Sequence, residues 1–192
     1  MATLLHPNGF IQHDLPDGAR LHVWADDLPP AQLIHTPIHD HTFLFESRVV
    51  MGMLIHETFN WLRLEGDAGL WFDKEGYTRG YTPTHKLYEV AGALLVDTGR
   101  RGIVYPGETM IHGVYASYGF GGPGHYHDTR GAEGIITATI MRKVKTDMAP
   151  NPTVLIPIGM EPDNDFRRDQ YSEERLMPWV KRVLDYMEAR NA

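Results

Sequence analysis

Short runs of β-branched and apolar residues, separated by glycine and proline turn signals, constrain the fold of this chain most. Arg20–Trp24 and Ile135–Val144 alternate in hydrophobicity as strands do, and Ser47–Phe59 is the strongest strand candidate, with a bend near Gly52. Lys86–Val90 and Ala93–Thr98 form a predicted hairpin. Many short strands of this kind predict an all-β barrel or sandwich.

The C-terminal segment has a different periodicity. Five apolar residues fall on one helical face, with charged residues on the others: Leu176, Val180, Val183, Leu184 and Met187. Residues 172–190 are therefore predicted to form an amphipathic helix, with Ser172 as a candidate cap and Pro178 in the first turn.

The chain has 192 residues, which suits one domain. We expect a core over residues 20–145, an extended proline-rich arm over 146–171 and the helix over 172–190. Residues 1–19 are predicted to be a loop-rich entry, and 60–84 a long aromatic loop that acts as a lid or an oligomer contact. A second short strand is predicted at 31–35.

Charge and composition narrow the function classes. A formal net charge of −7 argues against a nucleic-acid-binding or anionic-membrane-binding surface, so a small-molecule ligand is expected. The chain contains no cysteine, so a transition-metal site must be built from histidine and carboxylate. It shows no signal-peptide pattern and no apolar stretch of spanning length, which predicts a soluble cytoplasmic protein.

A histidine pair begins the most informative stretch, PIHDHTFLFESRVVMGMLIHETFNW. His39 and His41 are two residues apart on an extended segment, so their imidazoles should leave the same side of a strand and reach one metal ion. Asp40, between them, should point away and be structural. Glu46 follows, and then an apolar run over 49–55 that can form a buried strand.

The spacing His-x-His-x4-Glu-x5-Gly, from His39 to Gly52, resembles the first motif of the cupin superfamily. Gly102 to His112, with Pro106-Gly107 inside it, is similar to the second motif, with one extra residue. Within the superfamily, the sequence of these segments looks most like that of the cysteine dioxygenase branch. The resemblance covers about residues 20–145. It implies a jelly-roll barrel that holds one metal ion.

The resemblance also implies the ligands: His39, His41, Glu46 and His112. Glu46 ligates in many cupins of this spacing, whereas the cysteine dioxygenase branch uses three histidines; a salt bridge from Glu46 to Arg48 is the other interpretation. Histidine and carboxylate suit Fe(II), which the resemblance favours, as well as Mn(II), Ni(II) or Zn(II).

A second His-x-His pair, His125 and His127, lies in the glycine-rich stretch 117–128, which is predicted to be a loop. This stretch is a rival metal site or, as the preferred interpretation, a loop that closes over the barrel mouth with Tyr126 or a histidine against the substrate. Tyr115 is a further catalytic candidate, because Glu57, Tyr115 and His56 are each possible general bases.

Three functions follow from these features. The first is a mononuclear non-haem iron dioxygenase that acts on a small molecule, as the family likeness implies. The second is a non-oxidative cupin isomerase or lyase on a sugar or keto acid, with the ion as a Lewis acid. The third is a non-catalytic binding or oligomeric interaction protein. A homodimer is expected by analogy with cupins.

Overall fold

The computed structural model describes residues 2–31, 38–64, 69–72, 78–81, 83–91, 94–162 and 171–191. Within these ranges the chain forms thirteen strands and one helix: β1 Thr3–His6, β2 Phe10–Asp14, β3 Arg20–Trp24, β4 Leu44–Met51, β5 Leu54–Leu64, β6 Gly69–Phe72, β7 Thr78–Tyr81, β8 His85–Ala91, β9 Leu94–His112, β10 Ser117–Gly121, β11 Tyr126–Gly131, β12 Thr137–Lys145, β13 Thr153–Pro157 and α1 Glu173–Asn191.

The strands form two main antiparallel sheets. One sheet has six strands in the order β1-β2-β3-β12-β4-β10, the other has five in the order β11-β5-β9-β8-β13, and β6 and β7 form a separate hairpin. The prediction of a mostly β protein with a C-terminal helix is confirmed. The two sheets do not close into one barrel.

The bend predicted near Gly52 is a turn between two sheets. β4 belongs to the six-stranded sheet and β5 to the five-stranded sheet, so the chain changes sheet at this point. Gly52 has a φ of 72°, and a Cβ there would lie 2.3 Å from the carbonyl oxygen of Ile136. Only glycine fits both the left-handed backbone and the close approach of the neighbouring chain.

Two predicted loops are strands instead. The segment 1–19, predicted to be rich in loops, contains β1 and β2. One turn joins β1 to β2 and a second joins β2 to β3. The stretch 117–128 was predicted to be a loop because of its glycines. Instead, its first five residues form β10, which pairs with β4, and its last three belong to β11, which pairs with β5. In both cases cross-strand pairing outweighs the weak strand propensity of glycine and turn residues.

The rest of the chain follows the predictions in part. The hairpin of β8 and β9 is confirmed, but β9 continues beyond the predicted end at Thr98 as far as His112. The arm is not free along its length, because β13 pairs with β8. The loop predicted over 60–84 contains the end of β5 and the β6–β7 hairpin. Apart from its first residue, the strand predicted at 31–35 lies outside the described residues.

The helix α1 covers one face of the six-stranded sheet. Its apolar residues Leu176, Val180 and Val183 are fully buried against side chains such as Ile11 and Leu21. The backbone N–H of Arg175 lies 3.4 Å from the Oγ of Ser172, as in an N-cap. Pro178 was predicted to lie in the first turn of the helix. Because the helix begins at Glu173, Pro178 lies beyond that turn. No helix in the described ranges is long and apolar enough to cross a membrane.

Candidate metal centre

Two histidines from distant parts of the chain lie directly opposite each other. The backbone N–H of His39 donates to the carbonyl of His127 at 3.1 Å, and the N–H of His127 donates back to the carbonyl of His39 at 2.9 Å. Residues paired in this way project their side chains from the same face, and His41, two residues along, shares that face. The backbone therefore brings three imidazoles together.

The three rings have the spacing of a metal site. Their potential ligand atoms all lie within 4.8 Å of one another, and the Nε2 atoms of His41 and His127 are 2.9 Å apart. Two nitrogens bound at right angles, each about 2.05 Å from an ion, are separated by about 2.9 Å, and no two ligands of such an ion exceed about 4.2 Å. His41 and His127 thus already have the spacing of two ligands of one ion, and His39 lies in the same group.

The segment that carries two of the histidines is fixed by Asp40. Its carboxylate accepts hydrogen bonds from the backbone N–H of Gly124 at 2.7 Å and of Thr153 at 2.5 Å, and the side chain is buried. These bonds tie the His39–His41 segment to the turn before β11 and to β13. The structural role predicted for Asp40 therefore fits the observed contacts.

Burial keeps the imidazoles of His41 and His127 neutral. Desolvation is the main cause that lowers the pKa of His41 and of His127 well below the usual histidine value, and the neighbouring charge of His39 lowers both further. Neutral imidazole is the form that binds a metal ion. At neutral pH both rings are therefore ready to ligate.

A fourth histidine, His56, contacts His127 in the group of three. The Nδ1 of His127 lies 3.3 Å from the Nε2 of His56, whose side chain is fully buried. If His127 binds a metal through Nε2, its Nδ1 carries the proton, and this N–H donates a hydrogen bond to the Nε2 of His56. Metal-bound histidines usually make an outer contact of this kind. Burial, with a smaller effect of His112, lowers the pKa of His56 to about 4, so His56 is neutral and can accept.

Asn8 makes the corresponding contact to His39. Its amide nitrogen lies 3.4 Å from the Nδ1 of His39, while its amide oxygen is buried without a partner among the described residues. A metal bound through the Nε2 of His39 requires a proton on Nδ1, and rotation of the Asn8 amide by half a turn supplies an oxygen to accept it. The β1–β2 turn thus contains a group that suits the ligating tautomer.

Aromatic side chains surround the histidines. The ring of Phe120 lies 4.6 Å from that of His127 and 4.7 Å from that of His56, and Phe43 lies 4.7 Å from His41. Phe45 is buried beside both His41 and His127. An apolar shell of this kind restricts solvent access to a metal and lowers the local dielectric constant.

Glu46 and His112, both predicted ligands, lie outside the group of three. Glu46 is exposed on β4, whereas its neighbours Phe45 and Ser47 are buried, so its carboxylate leaves the opposite face of the sheet. No ion pair between Glu46 and Arg48 is present among the described residues.

His112 lies beyond His56 and is only partly buried. Its ring stacks on Tyr118 at 4.5 Å and lies 6.2 Å from the ring of His56, so it is separated from the three by His56. Burial raises the pKa of the Tyr118 hydroxyl to about 12. His112 and Tyr118 therefore form a neutral polar pair next to the group of three.

The two predicted catalytic tyrosines also lie elsewhere. Tyr126 is buried in an apolar cluster with Leu87 and Leu155, and its hydroxyl lies 3.1 Å from the Oγ1 of Thr153; burial raises its pKa to about 12. It precedes His127 on β11 and so projects from the opposite face. Tyr115 is largely exposed, near Arg48.

The sequence did contain a signal for His127. His125 and His127 repeat the His-x-His spacing of the first pair, but their glycine-rich surroundings indicated a loop without a fixed geometry. His127 instead belongs to strand β11, whose pairing with β5 supplies that geometry. His125, in contrast, is exposed at the turn.

No protein-family model matches the chain, and no curated protein is significantly similar to it.

Proposed function

We propose that the protein binds one divalent transition metal ion through His39, His41 and His127, and that with Fe(II) it is a dioxygenase acting on a small molecule. The observation that carries the proposal is the group of three convergent imidazoles with His41 and His127 at 2.9 Å. Three protein ligands leave coordination positions open on an octahedral ion.

The choice of dioxygen chemistry rests on the sequence. The His39 to Trp61 stretch resembles the cysteine dioxygenase branch of the cupins, in which three histidines suffice, and Glu46 on the far face of β4 agrees with a three-histidine site. Bound Fe(II) would supply redox chemistry and an open site for dioxygen. Mn(II), Ni(II) and Zn(II) suit the same nitrogen ligands.

The residues of the chain have defined tasks in this proposal. Asp40 fixes the backbone of the two histidines in the first pair, and His56 fixes the tautomer of His127. Phe45 and Phe120 limit water at the site. The neutral pair of His112 and Tyr118 packs against the far side of His56.

Dioxygen consumption by the iron-loaded protein tests the proposal. Protein reconstituted with Fe(II) under anaerobic conditions is mixed with aerobic buffer and a panel of small thiols, and uptake is followed with an oxygen electrode. We expect substrate-dependent uptake that is lost in His41→Ala and kept in the exposed control His125→Ala. Turnover that proceeds equally without dioxygen would contradict the dioxygenase and support the non-oxidative isomerase or lyase.

A further inference from the structure

A cleft of about 580 Å³ lies on the outer side of the six-stranded sheet, at the C-terminal end of α1. Its walls include the outward-facing residues of β4 and the last turns of the helix. Glu46 and Arg48 project from β4 into the cleft, and Tyr186 and Arg190 line it from α1. None of the three metal-site histidines lines the cleft, so it is a separate site.

Two arginines converge on one tyrosine in this cleft. The guanidinium carbons of Arg48 and Arg190 lie 5.4 and 5.5 Å from the centroid of the Tyr115 ring. Arg190 also donates a hydrogen bond to the hydroxyl of Tyr186 at 2.6 Å. The stacked ring limits the freedom of both long side chains, which lowers the entropic cost of ordering them around a ligand.

The backbone holds Tyr115 in a strained conformation. Its φ is 73°, a value that a bulky residue rarely adopts, and its N–H donates to the carbonyl of Val49 at 2.9 Å. The N–H of Ala116 closes the turn on the carbonyl of Gly113 at 3.0 Å. Strain of this kind concentrates at functional sites, where the surrounding structure enforces it.

The charge of the cleft is opposite to that of the chain. Three arginines and one glutamate line it, although the protein has a formal charge of −7. Arg142 is paired with Asp17, but no carboxylate lies within ion-pair distance of Arg48 or Arg190 in the described part of the chain. Two guanidinium groups are thus available for an anion.

We propose that this cleft binds a small organic phosphate monoester. The planar donors of Arg48 and Arg190 suit the oxygens of a phosphate dianion, which matches their combined charge. Val50, Ile140 and Met187 supply apolar surface for the organic part. Since the ligand would contact β4 and α1 together, its binding stabilises the docked helix.

Calorimetric titration with phenyl phosphate tests this site on the full-length protein at low salt. We expect saturable one-to-one binding, and because each arginine would contribute a charge-assisted contact, Arg48→Gln and Arg190→Gln should each weaken it about tenfold or more. Arg100→Gln, an exposed arginine outside the cleft, is the matched control and should bind as the wild type does. Metal content should be unchanged in all three variants.

Benzyl alcohol, which has a similar ring but no phosphate, should not bind. The proposal is overturned if phenyl phosphate fails to saturate, if benzyl alcohol binds equally well, or if Arg100→Gln weakens binding as much as the two cleft variants. Circular dichroism spectra of the variants check that each is folded, so that a loss of binding reports on the cleft.

Discussion

At the scale of the residue, the proposed centre depends on side chains that bind no metal themselves. Asp40 satisfies two backbone N–H groups, and His56 accepts from His127. Such outer contacts set ligand orientation and tautomer, and their loss usually lowers metal affinity by about 10- to 100-fold. The sequence predicted a structural role for Asp40 from the two-residue period alone, but it suggested His56 only as one of several possible general bases and not as a contact of a metal ligand.

His56→Leu tests the outer contact. The variant removes the acceptor for the Nδ1–H of His127 while keeping all three ligands, so metal affinity should fall by about 10- to 100-fold. His56→Gln, whose side-chain oxygen can accept, should recover part of the loss. Competition with a chelating dye measures both affinities, and equal affinity in His56→Leu and wild type would show that the contact has no effect on the ion.

Asp40→Ala tests how the segment is held. It leaves the N–H groups of Gly124 and Thr153 without their acceptor in a part-buried setting, at a cost of roughly 1–3 kcal/mol for each group. We therefore expect a marked fall in the free energy of unfolding, measured by urea denaturation. Asp26→Ala, which removes one exposed acceptor from Gly134, is the control and should cost less; equal losses would contradict the role given to Asp40.

At the scale of the element, the change of sheet at Gly52 sets the position of β5 relative to β4. β4 carries Phe45 to the histidines, and β5 carries His56, so the turn between them sets how the two sheets face each other. The sequence indicated a bend here, but it could not show that the two halves join different sheets, because strand pairing is decided by distant partners.

Gly52→Ala and Gly9→Ala separate backbone strain from steric conflict. Both glycines have a positive φ, 72° and 79°, but a Cβ at Gly9 meets nothing within 4 Å, whereas one at Gly52 would overlap the backbone at Ile136. Gly9→Ala should lose about 1–2 kcal/mol of unfolding free energy from φ alone. Gly52→Ala should lose clearly more in the same urea experiment; equal losses would contradict the close approach.

The loop predicted from glycine content was wrong for β11. Glycines before Tyr126 predicted a loop, yet His127 has a fixed place because its backbone pairs with Thr58 of β5 on one side and with His39 on the other. The His-x-His spacing was visible in the sequence. Which of the later histidines joins the first pair depends on sheet register, which one sequence does not reveal.

At the scale of the whole molecule, the buried histidines make the fold sensitive to acid. Desolvation is the main cause that lowers the pKa of His22 to about 3 and of His56 to about 4. In the unfolded chain both titrate near 6.5, so between that pH and their folded values the unfolded state binds more protons. Stability is therefore complete above about pH 6.5 and declines as the pH falls toward 4.

Urea denaturation of the metal-free protein at pH 7, 6, 5 and 4.5 tests this dependence. We expect the free energy of unfolding to fall over this range, by up to roughly 1.4 kcal/mol per pH unit for each histidine involved. His22→Leu removes one such proton and should make the decline shallower. A wild-type stability that is constant from pH 7 to 4.5 would show that these rings are not held neutral by burial.

The account depends most directly on which histidine completes the metal site. Elemental analysis of protein purified from iron-supplemented medium, compared among wild type, His127→Ala and His112→Ala, decides this. We predict one metal ion per chain in the wild type, retention of most of it in His112→Ala and its loss in His127→Ala, with all three proteins folded. Metal lost from His112→Ala but kept in His127→Ala would contradict the site described here.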